Sequence, residues 1–286
     1  MTETSLRFLV VNAHPHDFTH YAGTVGIHTT LGDSVTVVVA TSGALTHNEK
    51  LSDELKKPPE ERDPAILNEP PDEYAAQKAD ELRKAAALFG VTDVRILDGP
   101  QPFLAQQNPH IIDQITDIVQ EVRPHILINQ SPYLLTGARK GLLSGYLEDD
   151  HIQTAFAVEK AQYYASTPRP GSTLAPHRIA ASFYPGVYFP REDWDFAVDI
   201  SDWFDKRVEA ENLFKSQGHW EAWSDKRMEV TLGNHGWYSG TLYAEGFVQA
   251  RTEILPKITL SPFTLRAAEE SPKDHMERIV GSPKPD

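Results

Sequence analysis

The chain has no cysteine among its 286 residues. Disulfides, thiolate nucleophiles, iron–sulfur clusters and cysteine-ligated structural zinc are therefore excluded. Any metal must be held by His, Asp, Glu or water, donors that suit an exchangeable or catalytic ion. Long apolar runs are also missing: no stretch approaches the roughly 20 residues that span a bilayer. The opening "MTETSLRFLVV" lacks the basic start and small-residue cleavage site of a secretory signal, so a cytoplasmic protein is expected. Positive charge is scarce. With 27 Lys and Arg against 41 Asp and Glu, the net charge is −14, which opposes binding to nucleic acid or to an anionic membrane. The expected partner is a small molecule, with homo-oligomer formation left open.

What is present is the composition of a globular protein with a full core, 40% hydrophobic and 24% charged. The N-terminal half alternates strand-like and helix-like segments. "RFLVVNA" (7–13), "SVTVVVAT" (34–41), "VRIL" (94–97) and "HILINQ" (125–130) are short, apolar and rich in β-branched residues, as in strands buried on both faces. Between them, 72–89 is rich in Ala, Leu, Glu and Lys and stops at Gly90, and 110–123 repeats apolar positions at helical spacing before Pro124. Strand, helix, strand, helix predicts a Rossmann-like three-layer α/β/α fold with a mostly parallel sheet. Residues 1–166 form its metal-binding part. After a linker-like "TPRPGSTLAP" (167–176), residues 177–286 add strands ("RIAASFYPGVYF", "FAVDI"), a helix starting at Ser201 and a loose tail, completing the same domain. The charged, proline-rich stretch 43–71 reads as a long connection: a lid, an arm to another subunit, or a solvated loop.

"VNAHPHDF" (11–18) follows the first strand. In open parallel sheets, ligands bind beyond the carboxyl ends of the strands, so this polar turn lies where such folds keep their sites. A tight turn aims His14 and Asp17 at one point, and imidazole with carboxylate suits zinc or a similar divalent ion. A third ligand is needed. "YLEDDHIQTAFAVEKAQYYA" follows the fourth strand and opens a helix with Glu148, Asp149, Asp150 and His151 in its first turn. Acidic residues there complement the helix dipole. A cationic His151 does not, whereas a neutral, metal-bound imidazole is acceptable.

These motifs resemble the PIG-L/LmbE-like zinc-dependent de-N-acetylases, whose signature is A-H-P-D-D-E after the first strand and H-P-D-H or a variant at a later helix start. "SVTVVVATSG", "ELRKAAALFGVTDVRILDGP", "EVRPHILINQSP", "VDISDWFDKRVEAENLFKSQ" and "LYAEGF" are similar to further segments of that family. The resemblance implies His14, Asp17 and His151 as ligands of Zn2+, with Fe2+ as the other suitable ion. It implies Tyr146 as a mobile oxyanion-steadying tyrosine and Asp150 as the residue that orients a catalytic histidine. The implied activity is hydrolysis of a C–N bond other than a peptide bond, most readily N-deacetylation of an amino sugar or sugar conjugate.

Two chemical positions depart from the family. His16 stands where the family has its general-base Asp, and Glu148 stands where it has its His; Phe18 also replaces the closing Glu. Three readings stay open: lost activity, His16 acting as the base, or a carboxylate and an imidazole that have exchanged sides. The last is preferred, because both group types fit a divalent-metal hydrolase. Glu148 then takes the proton and His16 delivers one. Other readings of the function are a hydrolase of a related amide, carbamate or ester on a non-sugar molecule, and a non-catalytic metal- and glycoconjugate-binding protein. Asp98 is a candidate for a sugar hydroxyl and Arg139, with Lys140, for an anionic substrate. His219 and His235, each beside tryptophan, either reach the cleft or pack. His20, His28 and His47 read as ordinary.

Overall fold

A computed structural model describes residues 5–133 and 149–281. Strand β1 (Arg7–Asn12) leads through a 3-10 turn into α1 (Ala22–Thr30), and β2 (Ser34–Thr41) follows. Next come α2 (Glu49–Lys56), α3 (Pro64–Leu67), α4 (Pro71–Leu88), β3 (Asp93–Gly99), α5 (Pro109–Val122), β4 (Ile126–Asn129) and α6 (Asp150–Ala165). The C-terminal half contributes β5 (Ala181–Pro185), β6 (Phe196–Asp199), α7 (Phe204–Asn212), α8 (Glu221–Ser239), β7 (Ala244–Gln249), α9 (Pro262–Arg266) and α10 (Pro272–Val280).

The strands form one sheet in the order β3-β2-β1-β4-β5-β7-β6. The first five run parallel, and β7 is antiparallel to both β5 and β6. Alternation along β1 sends its side chains to two cores. Phe8 and Val10 pack with Val37, Val39, Leu82 and Phe89 on the face covered by α1 and α4. Leu9 and Val11 pack with Val38, Ile111, Ile115, Val119 and Val158 on the face covered by α5 and α6. A strand buried on both sides must be apolar throughout, which is why "RFLVV" shows no polar alternation. The order turns back at β1, whose neighbours are β2 and β4. The crevice beyond the carboxyl ends of β1 and β4 is thus the switch point where open α/β sheets bind ligands.

Several expectations need correction. Residues 43–71 are not a structureless connection: Asn48 caps α2 by accepting from Leu51 N, and Asp63 caps the short α3 by accepting from Ala65 N. Much of the polarity of that stretch is capping chemistry. "RIAASFYPGVYF" is a strand only to Pro185, after which a 3-10 turn carries Gly186–Tyr188. Ser201 opens a 3-10 turn, and α7 starts at Phe204. The tail is helical at α10, where Ser271 and Asp274 form a capping box. No part of the sequence pattern announced α8.

Candidate metal centre

Pro15 opens the 3-10 turn after β1, which brings Asp17 back over its own approach. Asp17 Oδ2 accepts from Ala13 N at 3.1 Å, His14 N at 2.9 Å and Gln130 Nε2 at 3.0 Å. Its other oxygen, Oδ1, faces His151 Nε2 at 3.4 Å. His151 sits in the first turn of α6, whose N-cap Asp149 accepts from His151 N at 2.8 Å. Asp149 Oδ1 also lies 2.8 Å from His151 Nδ1, so Nε2 is the ring nitrogen turned toward Asp17. The His14 and His151 rings meet edge-on, 4.8 Å apart. One donor atom from each of His14, Asp17 and His151 lies within 4.8 Å of the others.

Each of the three therefore has one atom tied to the protein and one left over. His14 Nε2 is held by Asp150 Oδ2 at 2.9 Å, which leaves Nδ1 as the nitrogen for an ion. This is the outer-shell arrangement that fixes tautomer and ring orientation in metal-binding histidines. The 3.4 Å gap between Asp17 Oδ1 and His151 Nε2 matches the edge of a tetrahedron with bonds of about 2.1 Å. The donor set fits a divalent ion.

The electrostatics are those of a site that trades protons for cations. Burial works to raise the Asp17 carboxyl, but His151, His14 and His20 hold it well below the usual carboxylate range. Burial works to lower His151, yet Asp17 and Asp149 outweigh it and push the imidazole up to about 10. A cation entering here displaces that proton, so ion and proton compete for His151.

Asp150 needs a correction: its histidine is the proposed ligand His14 rather than a separate catalytic one. It also accepts from Gln101 Nε2 at 2.9 Å and Phe103 N at 2.7 Å. Asp98 does not reach the cleft; it is exposed on β3, where Gln114 Nε2 donates to it at 3.3 Å. Arg139, Lys140, Tyr146 and Glu148 lie outside the described residues.

His16 joins a second group of side chains. Its Nε2 is 2.9 Å from Glu211 Oε1, and its ring meets Phe214 and His219 edge-on. Glu211, on α7, is fully buried; Oε1 also accepts from Arg227 Nη1 at 2.9 Å and lies 3.3 Å from His219 Nδ1. Burial raises this carboxyl, but His16, Arg227 and His219 together hold it well below the usual range. Burial and His16 press His219 down to about 4, and burial presses His20 down to about 3, so both are neutral near pH 7.

The two groups share one cleft of about 540 Å³, with Tyr188 and Arg227 on its wall and the exposed Trp220 at its rim. The start of the 43–71 stretch supplies His47, Glu49 and Asp53 to the same cleft. His20 and His47 are therefore not incidental, and the ordinary reading holds only for His28, paired with Asp33 at 2.8 Å. His219 reaches the cleft and stacks on Trp223 at 4.1 Å, whereas His235 packs against Trp194. Glu211 went unnoticed in the sequence, yet a signal was there. Arg207, Ala210 and Glu211 share the buried stripe of α7, and charges at core spacing need partners.

With this geometry in view, residues 9–162 match the PIG-L family model, described as GlcNAc-PI de-N-acetylase. The chain belongs to this family. Among curated relatives, a 1D-myo-inositol 2-acetamido-2-deoxy-alpha-D-glucopyranoside deacetylase of Streptomyces griseus is 26% identical over 62% of this chain and 54% of its own length. A deacetylase of the same name from Actinosynnema mirum is 28% identical over 56% of each chain. The chain thus spans about half the length of the curated relatives it matches. In fold it is similar to N,N'-diacetylchitobiose deacetylase of Pyrococcus horikoshii, at TM-score 0.66 and 20% identity over 86% of this chain and 84% of that one. It is equally similar to a 4-carboxy-2-hydroxymuconate hydratase of Pseudomonas putida, at TM-score 0.66 and 19% identity over 89% of this chain and 100% of that one. The three-layer α/β architecture is common to these proteins. The matched range includes the candidate ligands His14, Asp17 and His151, while Glu211, His219 and Arg227 lie beyond it.

Proposed function

We propose that this PIG-L protein is a metal-dependent hydrolase that removes an N-acyl group, foremost acetyl, from an amino sugar or sugar conjugate. The observation that carries this reading is the convergence of His14, Asp17 and His151 at the β1/β4 crevice, each with its second polar atom already tied. The deacetylase relatives supply the bond type. Zinc suits the two imidazoles and one carboxylate, and Fe2+ is accepted by the same donors. When bound, such an ion supplies Lewis acidity and lowers the pKa of water.

The chain's own residues do the rest. Asp149 and Asp150 orient the two ligand imidazoles. His16, with Nε2 held on Glu211, is fixed in orientation. In its imidazolium form, stabilised by the same carboxylate, it delivers a proton to the departing amine. Glu148 is assigned the complementary proton-taking role and Tyr146 the oxyanion contact. Tyr188, 5.9 Å from His151 between ring centroids, closes the wall opposite. The exposed Trp220 at the rim offers a flat apolar face for a sugar ring.

His16→Ala and Glu148→Ala should each lower turnover by about 10²–10⁴-fold with the metal held by His14, Asp17 and His151 unchanged. Full activity in either variant would remove the exchanged acid–base pair from the account. The activity itself is tested with metal-loaded protein and a panel of N-acetylated sugars and conjugates, together with non-sugar amides, carbamates and esters. Amine and acetate released from the amino-sugar members are expected. Turnover confined to the non-sugar members favours the second reading, which the altered base position supports. A blank across all donors with metal bound contradicts a catalytic role.

A further inference from the structure

We infer that the cleft holds a second divalent-cation site, built from His16, Glu211 and His219. The inference does not need the reaction proposed above, but the two use His16 Nε2 and Glu211 Oε1 exclusively: an ion held there replaces their hydrogen bond, so His16 serves the reaction only while the second site is empty. His16 Nε2 stands 2.9 Å and His219 Nδ1 3.3 Å from Glu211 Oε1, and the three donor atoms lie within 4.8 Å of one another. The 3.3 Å separation is close to the edge of a tetrahedron with bonds of about 2.0–2.1 Å, and the 2.9 Å hydrogen bond must open by about 0.4 Å to admit an ion. Two imidazoles and a carboxylate are donors for zinc and its neighbours rather than for magnesium or calcium.

A second observation points the same way. Glu211 is fully buried, yet its Oε2 has no hydrogen-bond partner, while His16, His219 and Arg227 crowd onto Oε1. A buried carboxylate oxygen without a protein partner is costly, and a cation held by both oxygens of Glu211 would relieve that cost. The His219 side chain is only 9% exposed, so its ring is already ordered for binding.

Arg227 is the competitor. Its Nη1 supplies the positive charge now opposite Glu211, so an entering ion must displace it. The guanidinium has somewhere to stay: it lies 5.0 Å from the Trp223 ring and its side chain is 30% exposed. Competition of this kind makes the second site weaker than the first, whose ligands meet no arginine among the described residues.

The test is a Zn2+ titration of the metal-stripped full chain, by calorimetry and by equilibrium dialysis with metal analysis. The wild type should show one tight and one weaker equivalent. Glu211→Gln and His219→Ala should each weaken the second equivalent by at least about tenfold and keep the first. His151→Ala should lose the first and keep the second, which separates failure of this inference from failure of the first metal centre. Arg227→Gln should tighten the second equivalent. A single class of site up to millimolar Zn2+, a weaker class indifferent to both Glu211→Gln and His219→Ala, or no tightening in Arg227→Gln would overturn the inference.

Discussion

Asp17 divides its two oxygens between two tasks. Oδ2 closes the turn through three donors, and Oδ1 faces His151. Asp17→Asn can keep the turn by leaving its oxygen on the Oδ2 side, but it then presents an amide NH2 to the metal position. The variant should fold, by circular dichroism, yet retain below about a tenth of the wild-type bound metal. Lys78 shows the opposite economy, a buried charge serving the backbone. Its Nζ donates to Gly43 O and Thr46 O at 2.8 Å each, anchoring the stretch that lines the cleft. Burial pushes its pKa down to about 8, with Asp17 and Glu81 pulling the other way. The folded value lies below the unfolded 10.5, so the unfolded chain binds the proton more tightly. The resulting penalty is full below about pH 8 and is relieved as pH rises through 10.5. Between those limits the wild type should gain about 3 kcal/mol relative to Lys78→Met, read from urea unfolding at both pH values. At this scale the sequence was legible where residue types were unusual, as in "HPHD". It was opaque where an ordinary Glu or Arg becomes functional only through burial, as Glu211 and Arg227 do.

Glu245 of β7 does for the elements what Asp17 does for the turn. Its carboxylate is fully buried at the N-terminus of α1, accepting from Gly23 N at 3.0 Å and Thr24 N at 2.8 Å. Arg207 Nε on α7 completes the contact at 3.0 Å. A carboxylate suits a helix N-terminus, and this one ties β7, α1 and α7 behind the site. Glu245→Ala should cost about 3–5 kcal/mol in denaturant unfolding, because it strands the buried Arg207 and frees two helix-start amides. Gly236→Ala, in α8, should also destabilise, since a Cβ there would lie 2.3 Å from Leu242 O. Helices α4 and α5 were legible because composition, proline and glycine marked both ends. Helix α8 was not: it carries Gly233 and Gly236, which lower helix propensity, and buries few of its side chains, so no apolar stripe marks it. The 43–71 stretch misled for a related reason, as its prolines and acids sit at helix starts.

For the molecule as a whole, the apolar strands and the switch in their order place the crevice, and the PIG-L match over 9–162 spans the three candidate ligands. The surroundings of His16 are assembled by the C-terminal half, where α7, the turn after it and α8 bring Glu211, His219 and Arg227 around its ring. No single motif could reveal that. These residues are separated from the first turn by nearly 200 positions and meet it only through packing. Among the described residues no helix is long and apolar enough to cross a membrane. The central claim is that residues 14, 17 and 151 share one cation, and anomalous diffraction at the zinc edge from zinc-loaded crystals tests it most directly. The account predicts a peak about 2.0–2.2 Å from His14 Nδ1, Asp17 Oδ1 and His151 Nε2. Zinc bound only elsewhere, or three side chains too far apart to share an ion, would contradict it.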